Sequence, residues 1–64
     1  MRTYELINEQ SLVVATAEAE TILEARDWFD IAFEGKFWMG YYDSHDEWKT
    51  QPVILRGLSN LGEN

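Results

Sequence analysis

Apolar and polar positions alternate with a period of two at the start of the chain. Tyr4 and Leu6 alternate with Glu5 and Ile7, which predicts a strand over Thr3–Ile7, and the polar Asn8-Glu9-Gln10 predicts a turn. A second strand is expected over Ser11–Ala17. Leu12, Val14 and Thr16 would lie on one side and Val13, Ala15 and Ala17 on the other, which suggests a strand that is largely covered. The period then lengthens. Thr21-Ile22-Leu23-Glu24 fits the T-x-x-E capping box and predicts a helix over Ile22–Glu34, with Gly35 placed for a left-handed cap. At 100° per residue Ile22, Ala25, Trp28, Phe29, Ala32 and Phe33 form one apolar stripe that would pack on a sheet. Glu24, Asp27, Asp30 and Glu34 form the opposite arc, with Leu23 and Ile31 inside it.

After Gly35 the period returns to two. Phe37, Met39 and Tyr41 alternate with Trp38, Gly40 and Tyr42, which predicts a third strand with rings on both faces. Asp43-Ser44-His45-Asp46 has turn chemistry, because Asp and Ser side chains hydrogen-bond their own backbone. A fourth strand is expected over Glu47–Leu55, with Pro52 forcing an edge position or a bulge. The polar tail Ser59–Asn64 is expected to fray. The expected architecture is α+β: a single compact domain over residues 1–64, in the order ββαββ, with an antiparallel sheet of about four strands and one helix packed on one face.

Composition narrows the function. Twelve Asp and Glu against five Lys and Arg give a net charge of −7, and the basic residues are scattered singly. Direct nucleic-acid binding needs clustered basic residues and is disfavoured, as are anionic membranes. The longest apolar run, Leu12-Val13-Val14-Ala15, is far shorter than the ~18 residues of a membrane span, and the amino terminus lacks the apolar centre of a signal peptide. A cytoplasmic, unprocessed protein is the expectation. Cysteine is absent, which excludes disulfides and thiolate chemistry.

Candidate chemistry concentrates in Lys36–Trp48, with five rings, three carboxylates and the single histidine. Asp43, His45, Asp46 and Glu47 share one tight turn, so they do not converge as metal ligands do. His45 has Ser44, Thr50 and Ser59 as hydroxyl candidates, but no nucleophile elbow, zinc, phosphate-loop or dinucleotide motif accompanies it. Little room is expected for a substrate pocket of about 300–1,000 Å³. No cofactor, no metal and no enzymatic activity are expected.

Surfaces are more informative. Eight of the nine aromatic residues lie between Trp28 and Trp48, more than one core face uses. Trp38 and Tyr42, with Trp48 across the hairpin, are expected on the face without a helix, as a partner-binding patch or a homodimer face. On the helix, Glu24, Asp27, Asp30 and Glu34 would supply charge and Leu23 and Ile31 apolar anchors. Those four acids span three intervals over ten residues, one charge per about 5 Å at a rise of about 1.5 Å, sparser than the one per about 3.4 Å of a DNA strand. The expected function is therefore a small acidic inhibitor that binds a basic protein and occludes its nucleic-acid-binding surface. The profile of short length, strong acidity, no cysteine and a compact α+β fold is similar to that of anti-CRISPR and antirestriction proteins. This resemblance implies a phage- or mobile-element-type DNA mimic acting on a host effector, polymerase or repair enzyme. The alternatives are a self-associating structural or regulatory domain that dimerises through its aromatic sheet face, and an antitoxin-like neutraliser.

Overall fold

Two turns of the same design set the strand pairing. In the first, the Asn8 side-chain oxygen accepts from the amides of Gln10 (2.9 Å) and Leu12 (3.0 Å), while the Asn8 amide donates to the Leu12 carbonyl and the Ser11 amide to the Asn8 carbonyl. In the second, Asp43 Oδ1 accepts from the amides of His45 (2.8 Å) and Glu47 (3.0 Å), and the backbone bonds repeat: Asp43 to Glu47 and Asp46 to Asp43. Each turn places its fourth residue at positive φ, Ser11 at 66° and Asp46 at 62°. A short polar side chain that bonds its own backbone makes such turns stable without glycine.

The computed structural model describes residues 1–61. Strands β1 (Arg2–Ile7), β2 (Val13–Ala19), β3 (Glu34–Tyr42) and β4 (Trp48–Arg56) form one antiparallel sheet in the order β2-β1-β3-β4, and helix α1 (Ile22–Ala32) connects β2 to β3. This is the ββαββ architecture the sequence predicts. The expectation for the second strand needs correcting. It starts two residues late because the turn runs through Leu12, and it lies at the sheet edge because β1 sits between it and β3. Leu12, Val13 and Val14 are exposed, and the strand turns only Ala15, Ala17 and Ala19 toward the core. Val14 is the extra residue of a bulge, since Leu6 pairs with Ala15 and Ile7 with Val13. Strand β4 is the other edge, the position Pro52 requires.

The helix begins at the predicted box. Thr21 Oγ1 accepts from the Glu24 amide (3.2 Å), and the Glu24 carboxylate accepts from the Glu20 amide (2.7 Å). It ends two residues earlier than predicted. Phe33 is extended at φ −122° while its amide still donates to the Phe29 carbonyl, and the chain enters β3 directly. Gly35 is therefore a strand residue at φ 115°, not a helix cap, and Glu34 is not helical. The core is Tyr4, Leu6, Ala19, Ala25, Phe29, Met39, Val53 and Leu55, flanked by half-buried Ile22, Phe33, Phe37 and Tyr41. Trp28, expected in the core stripe, is 61% exposed. It leans over the β2 side, where the alanines are too short to meet it. Beyond β4, Leu58–Leu61 form a one-turn helix α2 where fraying was expected, and residues 62–64 of that tail lie outside the described residues.

Candidate protein-binding faces

Because Phe37, Met39 and Tyr41 pack toward the helix, the even-numbered residues of β3 point the other way, onto a sheet face that no helix covers among the described residues. Register aligns Val13 with Ile7, Ile7 with Trp38 and Trp38 with Pro52, so one apolar row crosses all four strands. On one side of this row, Tyr42 and Trp48 pair across the hairpin with ring centroids 5.1 Å apart at 60°. On the other, Ile54 is 69% exposed and its ladder partner Lys36 holds its ammonium 5.6 Å from the centre of the Trp38 ring. The structure thus brings Trp38, Tyr42 and Trp48 together, as their spacing suggested. Gly40 makes this arrangement possible: the Trp48 indole lies over the position where its Cβ would stand.

The acidic helix arc is not assembled as expected. Asp30 is buried at 2% exposure, since the end of β4 comes alongside α1 at this point. Its carboxylate accepts from the backbone amide (2.7 Å), Nε (3.0 Å) and Nη2 (2.8 Å) of Arg56. The Arg56 guanidinium and amide hold the Asp30 carboxyl below its ordinary 3.8, against the opposing effect of burial. Such a group is a structural anchor and presents no charge to a partner. Glu34, on β3, belongs by alternation to the uncovered sheet face and not to the helix. Glu24 and Asp27 remain on the outward arc, beside Leu23 (59% exposed), Ile31 (45%) and Trp28. Glu24, Asp27, Trp28 and Ile31 border one shallow depression there.

In the β3–β4 turn, the carboxylate of Asp43 is committed to backbone amides. The amide of Glu47, then that of His45, lowers the Asp43 carboxyl from its ordinary value, and Lys49 lies 3.9 Å from Asp43 and 3.3 Å from Glu47. Among the described residues no group of three or more His, Cys, Asp or Glu is arranged to hold a metal ion, and no helix is long and apolar enough to cross a membrane. Two open surface clefts of about 420 and 330 Å³ lie elsewhere on the molecule. His45 lines neither. The first lies between β2 and α1; the second, beside Ile7 and Trp38, extends the uncovered face to Glu9 and Thr50. Sequence reasoning missed Ile7, Val13, Pro52 and Ile54 on this face, and Trp28 on the helix. The alternation that placed Trp38 also places Ile54, but Val13 and Ile7 join the row only through strand order. No family model, curated protein or solved structure matches the chain.

Proposed function

We propose that the chain works by binding another protein with a basic surface, as a small phage- or mobile-element-type inhibitor that occludes the nucleic-acid-binding groove of a host enzyme or effector. The observation that carries this reading is the apolar row Val13-Ile7-Trp38-Pro52, with the Tyr42/Trp48 pair and Ile54 beside it, uncovered in a chain of net charge −7. Interface cores are enriched in Trp and Tyr, and long-range charge raises the rate of encounter with an opposite partner. The charge acts here by steering. With Asp30 bound to Arg56, the outward helix arc interleaves the apolar Leu23, Ile31 and Trp28 with only two acids, Asp27 and Glu24, which suits a protein groove better than it imitates a row of phosphates.

Charge favours a different protein over a second copy, because two copies would bring net charges of −7 against each other. The test is capture from a lysate of the source cells with the immobilised chain, beside a Trp38→Ala/Trp48→Ala variant, followed by nucleic-acid binding of the captured protein. The expected partner is basic, is released by salt, is not retained by the variant and loses nucleic acid when the chain is added. A partner that holds nucleic acid and this chain together, or a tight homodimer by light scattering that buries Trp38 and Tyr42, would overturn the reading.

A further inference from the structure

The two edges of the sheet are not equivalent. Strand β4 contains Pro52, which has no backbone donor, and carries Lys49 and Arg56, devices that discourage another strand from pairing there. Strand β2, with the sequence VVATAEA, has no proline and no basic residue, and among the described residues only β1 pairs with it. Its bulge at Val14 leaves Ala15–Ala19 as a regular template of backbone donors and acceptors. Alongside this edge runs the cleft of about 420 Å³, with Ala15 and Ala17 on its floor, Phe29 and Phe33 deeper, and Trp28 on the helix shoulder. The short alanines create the cleft: longer side chains there would reach the helix and fill it. Trp28, a large ring 61% exposed beside an apolar trough, is a ready lid for an inserted side chain.

We infer that the β2 edge and this cleft accept an extended segment of a partner protein, which adds a fifth strand beside Ala15–Ala19 and drops alternate apolar side chains between β2 and α1. Charge names the kind of segment. Glu18 alternates with the core-facing Ala17 and Ala19, so its exposed side chain stands on the outer face of β2, where the outward side chains of an added strand would lie beside it, and exposed Glu20 follows, whereas Arg26 lies about 160° around the helix from Trp28. The occupant is therefore a strand in which Lys or Arg alternates with aliphatic residues. A second copy of β2 would bring these acids, and −7 of net charge, against their duplicates. The mode is strand addition, in which backbone hydrogen bonds supply affinity and alternate side-chain pockets supply selectivity. The cleft lies on the helix side of β2, away from Trp38 and Trp48, and the proposal does not depend on the reading above.

The experiment is an NMR titration of the isotope-labelled full chain with three synthetic peptides: seven residues alternating Lys with Val or Leu, the same with Glu for Lys, and the basic peptide with a central proline. The basic peptide is expected to shift and protect amides of Ala15–Ala19 and to shift the Trp28 indole, leaving the Trp38 and Trp48 indoles unmoved. Glu18→Lys and Trp28→Ala, both at exposed positions, are each expected to weaken it about tenfold. Equal binding of the proline or the acidic peptide would overturn the proposal, as would shifts confined to Trp38 and Trp48 or no shift at millimolar peptide. Concentration-dependent shifts of the same amides without peptide would assign the edge to a second copy and equally overturn it.

Discussion

Gly40→Ala tests the geometry of the uncovered face through the sign of its effect. A methyl group at this position would collide with Cζ2 of the Trp48 indole, and would lie 2.5 Å from Cη2 and 3.1 Å from Cδ1 of Ile7. Carbon atoms normally approach to about 3.5–4.0 Å, so the indole must move by about 1 Å or swing off the sheet. Trp48 is 44% exposed, which leaves about 100 Å² of a ring that buries about 150–250 Å², or about 2.5 kcal/mol at about 25 cal/mol/Å². Losing half of that contact, with the Tyr42 ring pair worth about 0.5–1.5 kcal/mol, costs about 2–3 kcal/mol. Alanine offsets about 0.5–1 kcal/mol of this, because it is less costly than glycine to order in a strand. The net effect is a loss of about 1–2 kcal/mol, a fall in Tm of about 5–15 °C for a domain of this size. Without the indole, the gain is opposed only by the 3.1 Å contact with the flexible end of Ile7, so in a Trp48→Ala background the same substitution is expected to be neutral to stabilising by up to about 0.5–1 kcal/mol. Thermal and urea unfolding of the four proteins measures the cycle, and near-ultraviolet circular dichroism reports loss of the Tyr42/Trp48 pair. An equal loss in both backgrounds would refute the close packing of Trp48 on Gly40.

Asp30→Asn removes the charge that the Arg56 guanidinium and amide bind, and is expected to cost about 1.5–3 kcal/mol at pH 7 in urea unfolding. The folded-state carboxyl of Asp30 lies below its ordinary 3.8, so its contribution is present above about pH 3.8 and is lost as pH falls through the lower folded value; the Asn variant should show a shallower acid limb below about pH 3.8. Gly35→Ala meets open space, with only Phe37 Cε1 at 4.0 Å, but forces a side chain onto φ 115°; a loss of about 1–3 kcal/mol by thermal unfolding is expected from conformation alone. Leu23→Asp and Ile31→Lys, at exposed helix positions, should each leave stability within about 0.5 kcal/mol while weakening retention of the basic partner, which surface plasmon resonance would measure.

Local chemistry was legible from the chain. Asn8 and Asp43 each close a turn with their own backbone, and Thr21 and Glu24 start the helix within four residues of one another. Strand alternation likewise placed Trp38 and Tyr42 opposite the core residues Met39 and Tyr41. Long-range pairing was not legible. Asp30 and Arg56 are 26 residues apart, and on a helical wheel Asp30 looks like one more exposed acid. Trp28 has the periodicity of a core residue, yet the floor beneath it is made of alanines.

The sequence by itself determined the types of the four strands and of helix α1, both hairpin turns and the excess of aromatic residues over one core. These depend on side chains that act on their own or adjacent backbone, or on a simple period. The tertiary structure alone decided that β2 is an edge strand, that Asp30 is an anchor and that Val13, Ile7, Trp38 and Pro52 form one row. Each of these depends on the insertion of β1 between β2 and β3, or on the passage of β4 along the helix. Strand order joins residues far apart in the chain, and no local pattern encodes it.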